Sequence, residues 1–385
     1  MRFLDAGESH GPGILTIVEG CPRGLRVDRG FIQEELARRR RGYGRGGRMS
    51  IESDEVVLMG GVRRGWSLGG PIALLVPNRD HANWLEVMPP EEVEGAPPPP
   101  VTTPRPGHAD LAGALKYGTR DLRDILERAS ARETVGRVCA GALAKLLLRR
   151  AGIEVGSHVL RVGEVEAATG EIGAFAELRK AEEDEMRCLD PAASASMRAA
   201  VDAAAEAGDT LGGVVEVLAF GVPPGLGSHV HWDRRLDGLL AQALMSIQSV
   251  KGVEVGGGFA LSGLHGSRCL DHILYDGEAG FHRGSNHAGG VEGGMSNGET
   301  VRLRVAAKPI PTLGKPADTV DIESKLPVRA LKERADVCAV PALGVVAESM
   351  VAWVLANALL EKTGGDSMQE VEERLQQYRR RVKDY

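Results

Sequence analysis

Six arginines fall within eleven residues near the N-terminus, and glycines are interleaved with them. The arginines are Arg38, Arg39, Arg40, Arg41, Arg45 and Arg48, and the glycines are Gly42, Gly44, Gly46 and Gly47. Planar guanidinium groups match the geometry of carboxylates and phosphates, and glycine lets the backbone close around a ligand. The segment indicates a site for a small polyanion, although a solvated helix end or a nucleic-acid patch would share this composition.

Two histidines lie among small residues, where a side chain can reach into a cleft. His10 stands in GESHG and His108 in PRPGHAD. Histidine exchanges a proton near neutral pH, which suits general acid catalysis. Each of them, taken alone, could equally form only a hydrogen bond within its loop.

Three further segments carry groups that suit a ligand site, although each signal is weak alone. Residues 130–132 (SAR) lie in a helical segment whose charges could simply pair with one another. Residues 308–312 (KPIPT) form a stiff loop with a cation and a hydroxyl. Asp336 follows Arg334 closely, and a structural ion pair would explain that spacing as well as catalysis does.

Two motif matches fail because the segments around them are wrong. Residues 7–11 (GESHG) match the GxSxG elbow of serine hydrolases, with Ser9 as nucleophile, but a strand-like run follows instead of a helix. Residues 42–47 (GYGRGG) match GxGxxG but follow a helix, whereas the dinucleotide fingerprint follows a strand. Hydrolase and Rossmann chemistries therefore have little support.

The overall composition is that of an ordinary globular protein. The 385 residues are 43% hydrophobic and 26% charged, and the formal net charge of −6 argues against a general nucleic-acid binder. The five cysteines lie far apart and show no metal-ligand spacing, so we expect reduced thiols and no metal. No signal peptide is evident and we expect no window to reach the length of a membrane span, so we expect a cytoplasmic protein without membrane contact.

Hydrophobic periodicity predicts the elements that must position these groups. Strands are predicted at 13–19, 56–62, 71–76, 153–160, 212–222 and 300–309, and helices at 31–41 (with Asp28 as N-cap), 121–150, 192–207, 232–247, 341–362 and 371–385. Without a linker or a repeat, this pattern predicts one domain of mixed α and β layers over 1–385, with 366–385 as a charged helical tail.

Two segments resist assignment to regular structure. Residues 89–106 are rich in proline, so they cannot form a helix or a central strand, and we expect this long loop to cover a site. Residues 252–298 contain 14 glycines in 47 positions. Such a density indicates that the backbone there runs very close to another group.

Seven segments, in this order, resemble chorismate synthase: GESHG, RRRRGYGRGGRM, PRPGHAD, ERASARE, GFHRGSNHAGGVEGGMSNGE, KPIPT and RADVCAVP. They extend from Gly7 to Pro341. The resemblance implies an α+β fold of antiparallel sheets that sandwich helices, and a homotetramer. It also implies a carbon–oxygen lyase that uses reduced FMN to eliminate phosphate (anti, 1,4) from 5-enolpyruvylshikimate 3-phosphate, giving chorismate.

The resemblance also implies roles for individual residues. His10 matches an acid–base histidine near the leaving phosphate, His108 one near the flavin ring, and Asp336 a carboxylate near the flavin N5. Substrate-binding arginines match Arg39, Arg45, Arg48, Arg105 and Arg132, and the first two also match positions linked to the nicotinamide nucleotide. Flavin contacts match Ser130, Ala131, Arg132, Gln248, Ser249, Gly293, Lys308, Pro309, Ile310, Pro311, Thr312 and Arg334.

The motif-bearing segments fill the chain, which leaves no room for a flavin reductase domain. We therefore expect a monofunctional enzyme that receives reduced flavin from elsewhere, with NADPH as the indirect reductant. Two other classes remain open: a flavodoxin-like or nucleotide-binding protein whose arginines dock RNA, and a hydrolase that uses Ser9.

Overall fold

The computed structural model describes residues 1–46, 54–92, 94–96, 98–168, 170–277, 280–331 and 336–385. The strands are β1 Arg2–Ala6, β2 Gly13–Glu19, β3 Val57–Gly60, β4 Val62–Arg63, β5 Trp66–Ser67, β6 Ile72–Pro77, β7 Glu154–Val162, β8 Val165–Glu166, β9 Gly213–Phe220, β10 Val250–Val255, β11 Ile273–Asp276, β12 Gly280–Arg283, β13 Val291–Glu292, β14 Met295–Ser296, β15 Val301–Ala307, β16 Asp318–Val320 and β17 Pro327–Arg329. The helices are α1 Arg29–Arg40, α2 Asp110–Tyr117, α3 Arg123–Ala129, α4 Thr134–Arg150, α5 Phe175–Leu178, α6 Pro191–Glu206, α7 Leu236–Met245, α8 Gly266–Cys269, α9 Val340–Thr363 and α10 Met368–Lys383.

Two antiparallel sheets enclose a helical layer. One sheet has the strand order β1-β2-β6-β3 and the other β10-β15-β9-β7-β8. Helix α4 packs on β2 of the first sheet, α9 packs on β7 and β9 of the second, and the two helices pack on each other and on α1. This arrangement confirms the α+β fold of sheets that sandwich helices.

The first sheet turns one apolar face toward these helices. In β2, Ile14 and Val18 are buried while Leu15 and Ile17 between them are exposed, because successive side chains of a strand point to opposite faces. The predicted strand at 13–19 is therefore confirmed, and its inner face belongs to the core.

Helix α9 is apolar on every side and lies in the centre of the molecule. Residues Val340–Thr363 are long and apolar enough to cross a membrane, so the expectation that no window reaches that length was wrong. However, 83% of that apolar window is buried inside the protein. A helix that is hydrophobic all round is suited to a core between two sheets, and α9 occupies that position.

An ion network fixes α1 to the two central helices. The side chain of Glu348, on α9, is completely buried and accepts hydrogen bonds from Arg38 at 2.8 Å, Lys145 at 2.6 Å and Arg187 at 2.8 Å. Burial by itself would raise the pKa of Glu348, but the three cations hold it well below its usual value. This pairing determines which face of the arginine-rich end of α1 points into the core.

Helix α1 begins as predicted, and the predicted long helix at 121–150 is interrupted. The Asp28 side chain accepts hydrogen bonds from the backbone N–H groups of Gly30 and Phe31, which is an N-cap. At Ser130 the backbone is extended, with φ −63° and ψ 145°, and it separates α3 from a 3-10 turn that leads into α4. The apolar period continues across this break, so periodicity did not reveal it.

The predicted helix at 232–247 is likewise shorter than expected. A 3-10 turn at Trp232–Arg234 comes first, and Arg235 is extended, with φ −70° and ψ 129°, before α7 begins at Leu236. The helix ends at Met245, so Gln248 and Ser249 lie beyond it in a turn, where Ser249 has a positive φ of 70°.

The glycine-rich region does bring backbone close to another group, and that group is the chain itself. Gly256 has φ +59°, and a Cβ atom there would lie 2.2 Å from the carbonyl oxygen of His287. Gly289 has φ +63°, and its Cβ would lie 2.3 Å from the backbone nitrogen of Gly256. These glycines allow two backbone segments to pass each other where no side chain would fit.

Candidate functional site

A cavity of about 870 Å³ lies where the first half of the chain meets the turn after α7 and the start of α9. Most of the residues selected from the sequence line it: His10, Arg39, Arg45, Arg105, His108, Ser130, Ala131, Arg132, Gln248, Ser249, Lys308, Ile310, Pro311, Thr312 and Asp336. Its volume is within the range of small-molecule and cofactor sites. The structure therefore brings together groups that are far apart in sequence.

Two of the selected residues that the structure describes do not line this cavity, and two others lie outside the described ranges. Gly293 lies in the turn between β13 and β14, and Pro309 is flanked by lining residues without lining the cavity itself. Arg48 and Arg334 lie outside the described residues.

His10 is held between a carboxylate and an indole ring. Its Nδ1 is 2.8 Å from Oε1 of Glu127, and its backbone N–H donates to Oε2 of Glu127 at 2.7 Å. The imidazole stacks on Trp84 with a centroid separation of 3.7 Å and an interplanar angle of 23°. These contacts fix the orientation of the ring at the cavity wall.

His108 has a carboxylate partner of its own. Its Nδ1 bonds to Oδ1 of Asp110, and Arg105 donates from Nε to Oδ2 of the same carboxylate at 2.9 Å. Burial alone would raise the pKa of Asp110, but the hydrogen bonds from His108 and Arg105 hold it well below its usual range. An ionised carboxylate can only accept hydrogen bonds, so Asp110 favours the tautomer of His108 with hydrogen on Nδ1, although Arg105 Nη2 also lies 3.2 Å from that nitrogen.

Two arginines share the buried carboxylate of Asp54. Arg39 Nη2 donates to Oδ2 at 2.9 Å and Arg132 Nη1 to Oδ1 at 3.4 Å. Burial works to raise the pKa of Asp54, whereas the charges of Arg39 and Arg132 lower it further than burial raises it. One negative charge thus orients two guanidinium groups that line the cavity.

Asp336 pairs with the glycine-rich arginine segment. Arg45 Nη1 donates to its Oδ2 at 2.6 Å, and the Gly46 backbone N–H donates to its Oδ1 at 2.7 Å. Within the described part of the chain, Asp336 therefore forms its ion pair with Arg45, which is 291 residues away in the sequence.

The arginine cluster divides into structural and cavity-lining members. Arg38 enters the ion network of Glu348, and Arg41 pairs with Glu34 at 2.8 Å on the surface. Only Arg39 and Arg45 among the described arginines of the cluster line the cavity. Because carboxylates engage Arg38 and Arg41, a continuous RNA-binding patch along this segment has little support.

The rest of the cavity combines apolar walls with polar atoms that still need partners. Leu126, Leu211, Ile247 and Leu343 contribute hydrocarbon surface. Gln248 donates from Nε2 to Glu133 at 2.8 Å, while its buried Oε1 has no hydrogen-bond partner within the described ranges. Nε of Arg39 is in the same situation. Buried polar atoms are normally satisfied, so these two point to a bound group that can donate and accept hydrogen bonds, and the hydrocarbon walls favour one that is partly apolar.

Sequence reasoning missed the residues that hold the histidines. The spacing of His108 and Asp110 gave a weak signal, since a carboxylate two positions away can reach the imidazole. Glu127 and Trp84 gave no local signal, because each lies more than 70 residues from His10 in the chain. The proline-rich segment 89–106 leads into the site, because Arg105 within it and His108 just after it line the cavity. That this loop covers the site stays a prediction.

Comparison with known proteins gives one consistent result. A sequence profile described as chorismate synthase matches residues 1–360. A chorismate synthase of Moorella thermoacetica is 56% identical over 384 residues, covering 100% of both chains, and one of Desulforudis audaxviator is 53% identical, covering 100% of this chain and 98% of its own. A solved structure titled "Crystal Structure of Chorismate Synthase" superimposes with a TM-score of 0.80 at 42% identity, covering 100% of this chain and 98% of that one.

Proposed function

Because the chain belongs to the chorismate synthase family, and is therefore a lyase of the shikimate pathway, we propose the specific reaction that its site performs. The reaction is the anti-1,4-elimination of phosphate from 5-enolpyruvylshikimate 3-phosphate to give chorismate, with reduced FMN and without net oxidation. The observation that carries this proposal is a cavity of about 870 Å³, in which two histidines held by carboxylates share the wall with four arginines.

Charge in the cavity suits a substrate with several anionic groups. Arg39, Arg45, Arg105 and Arg132 line it, in a protein whose formal net charge is −6. Asp54, Asp336 and Asp110 hold these four guanidinium groups in place at the cavity wall through ion pairs. Fixed guanidinium groups in a partly enclosed site position carboxylates and phosphate and stabilise charge that develops as phosphate leaves.

The residues present also fit a flavin. The apolar walls suit a ring system, and Gln248 Oε1 and Arg39 Nε are buried atoms that lack partners among the described residues. When bound, reduced flavin supplies electron density to the substrate ring and recovers it, so that no net redox change occurs. The residues that would hold it are Ser130, Ala131, Arg132, Gln248, Ser249, Lys308, Ile310, Pro311 and Thr312, with Pro309, Gly293 and Arg334 kept as proposals from the family resemblance.

The two histidines then have separate roles in proton transfer. His10, whose Nδ1 is engaged by Glu127, donates a proton from Nε2 to the departing phosphate. With flavin bound, His108, whose Nδ1 is engaged by Asp110, would hold or move a proton on the flavin side of the cavity, and Asp336 would supply a carboxylate beside the flavin. Arg39 and Arg45 also serve the nicotinamide nucleotide, and Arg48 completes the anion-binding set.

We further propose that the enzyme is a monofunctional cytoplasmic homotetramer of one domain, which receives flavin reduced elsewhere at the expense of NADPH. Apolar side chains on the outer face of the first sheet support assembly. Leu4 and Ile17 face each other across β1 and β2, and Leu4 and Met59 are 73% and 61% exposed. An apolar sheet face of this kind is typical of a surface covered by another subunit.

The test is an anaerobic assay with purified protein, reduced FMN and 5-enolpyruvylshikimate 3-phosphate. We expect chorismate absorbance and free phosphate to rise in equal amounts, and both to be abolished when flavin is omitted. Folded, flavin-bound protein that yields neither product would refute the proposed reaction. Turnover with oxidised FMN and NADPH alone, at the same rate, would refute the monofunctional assignment.

A further inference from the structure

We propose that Glu127 is a positioning residue, which fixes the tautomer of His10 so that Nε2 is the atom that exchanges a proton with the substrate. This inference rests on the proposed role of His10 in the elimination. It concerns a residue that touches neither the substrate nor the flavin in the proposed mechanism, and acts only through the imidazole.

Glu127 is built into the protein as a fixed group. It lies on α3, its side chain is 2% exposed, and it meets the chain around His10 at three points. Its Oε1 is 2.8 Å from Nδ1 of His10, its Oε2 accepts the His10 backbone N–H at 2.7 Å, and its backbone oxygen accepts the Ser9 N–H at 3.0 Å. Both carboxylate oxygens are therefore committed to one residue.

The chemistry of these bonds selects one tautomer. An ionised carboxylate offers only acceptors, so the Nδ1 facing it must carry hydrogen. With hydrogen on Nδ1, the neutral imidazole has its lone pair on Nε2 and can accept a proton there. In the protonated imidazole, the hydrogen on Nε2 is the one that can be donated to the substrate. In the part of the chain that the structure describes, no hydrogen bond occupies Nε2.

Neighbouring groups restrain the ring without competing for Nδ1. Trp84 stacks on the imidazole, and the indole N–H donates to Asp80 at 3.2 Å. His81 Nδ1 is 2.9 Å from the His10 backbone oxygen, and Arg123 lies over the indole at 5.6 Å. Across the cavity, Arg105, His108 and Arg132 share the wall. Glu127 is the charged side chain that the described structure shows bonded to the imidazole itself.

Replacing this carboxylate by an amide should invert the tautomer. In Glu127→Gln, the His10 backbone N–H still needs an acceptor, so the amide oxygen turns to it and the NH₂ group faces Nδ1. Nδ1 must then accept a hydrogen bond, so the hydrogen of the neutral ring moves to Nε2. The protonated ring becomes less stable, because its Nδ1–H would face the NH₂ group, which is another donor. The shape of the residue is retained, so the change is chemical rather than steric.

The matched control is Asp124→Asn. Asp124 is on the same helix and receives a hydrogen bond from Thr119 at an exposed position. The Asp124→Asn substitution also replaces a carboxylate by an amide, but at a position that does not line the cavity. Thermal melting of both variants separates loss of function from loss of fold.

Steady-state turnover and a double-mutant cycle test the proposal, in the anaerobic assay with reduced FMN. Glu127→Gln should lower kcat by about 10²-fold with KM changed less than about threefold, and the alkaline limb of its pH–rate profile should move to lower pH. Glu127→Asp, which keeps an ionised acceptor, should recover part of the rate, and Asp124→Asn should match wild type. In a His10→Ala background, Glu127→Gln should cost nothing further, because the group through which it acts is gone.

The outcomes separate the two proposals. If wild-type protein forms no chorismate, the proposed function fails and the variants are not informative about it. If wild type is active and Glu127→Gln keeps its kcat and pH profile, the positioning role is overturned. A full additional loss in the His10→Ala background would also overturn it, since Glu127 would then act by another route.

Discussion

Arg38 Nη1 lies 2.8 Å from Oε2 of Glu348, and this contact joins the surface helix α1 to the centre of the protein. Arg39, the next residue, turns the other way and donates to Asp54 beside the cavity. Adjacent arginines thus have unrelated tasks, because residues one position apart on a helix point about 100° away from each other. The core contact of Arg38 fixes the face of α1 from which Arg39 lines the cavity.

Glu348→Gln should destabilise the protein by about 3–5 kcal/mol, because it leaves Arg38, Lys145 and Arg187 around a neutral amide. The folded pKa of Glu348 is lowered, so its contribution is fully present above the unfolded value of about 4.3 and is lost as pH falls through the folded value. The difference between wild type and variant should therefore stay constant from about pH 8 to pH 5.

Urea denaturation at several pH values measures this difference. Glu34→Gln is the control, since Glu34 pairs with Arg41 on the surface, and it should change the stability by less than about 0.5 kcal/mol. A Glu348→Gln penalty that disappears between pH 8 and pH 5 would mean that the carboxyl is protonated in the folded protein, contrary to the network described.

Much of the fold could be predicted from local pattern. The alternation of 13–19 gave β2 at its observed bounds, and Asp28 marked the start of α1, because both signals depend on residues within one element. The break at Ser130 escaped prediction, since apolar spacing continues through it and only the tertiary structure makes the backbone extended there.

In the site, too, local sequence identified some residues, and the residues that depend on tertiary contacts were missed. The motifs identified residues that line the cavity, yet composition could not distinguish Arg38 from Arg39, because their partners, Glu348 and Asp54, come from other parts of the chain. Glu127 was missed for the same reason: its relation to His10 exists only after α3 packs beside the N-terminal segment.

His10→Ala and His108→Ala should each lower turnover by about 10²-fold or more, because each removes a group proposed to transfer a proton. The losses should appear in kcat rather than in flavin binding, since neither imidazole supplies the main apolar contact surface. Rapid-mix anaerobic turnover and a flavin titration measure the two quantities. The variant His231→Ala is the control, because His231 is exposed and pairs only with Asp233 in the described structure. Unchanged rates in either cavity variant would remove that assignment.

Gly256→Ala should destabilise the protein more than Gly24→Ala. Both positions have positive φ, so both substitutions bear the left-handed backbone cost of about 1–2 kcal/mol. At Gly256 the new Cβ would also lie 2.2 Å from the His287 carbonyl oxygen, whereas at Gly24 nothing lies within 4 Å. Denaturation midpoints of the two variants isolate the steric part. Equal midpoints would show that the two backbone segments are not in close contact.

Arg39→Lys should impair substrate binding, although it retains the charge. Arg39 is 5% exposed and contacts both Asp54 at 2.9 Å and Thr134 at 3.3 Å, and its buried Nε has no hydrogen-bond partner among the described residues. A lysine ammonium is a single point of charge and cannot hold two protein partners while presenting a third donor in the same plane. Loss of one charge-assisted hydrogen bond, about 1.5–3 kcal/mol, corresponds to a fall of about 10–100-fold in kcat/KM.

The matched control is Arg41→Lys, two residues further along, where the side chain is 60% exposed and pairs with Glu34. We expect its kcat/KM to equal that of wild type. The test is to measure kcat/KM for 5-enolpyruvylshikimate 3-phosphate in both variants, and thermal melting checks that both are folded. If Arg39→Lys is as active as Arg41→Lys, the planar fork of Arg39 does not recognise the substrate. Its contacts with Asp54 and Thr134 would then serve only to hold α1 against α4.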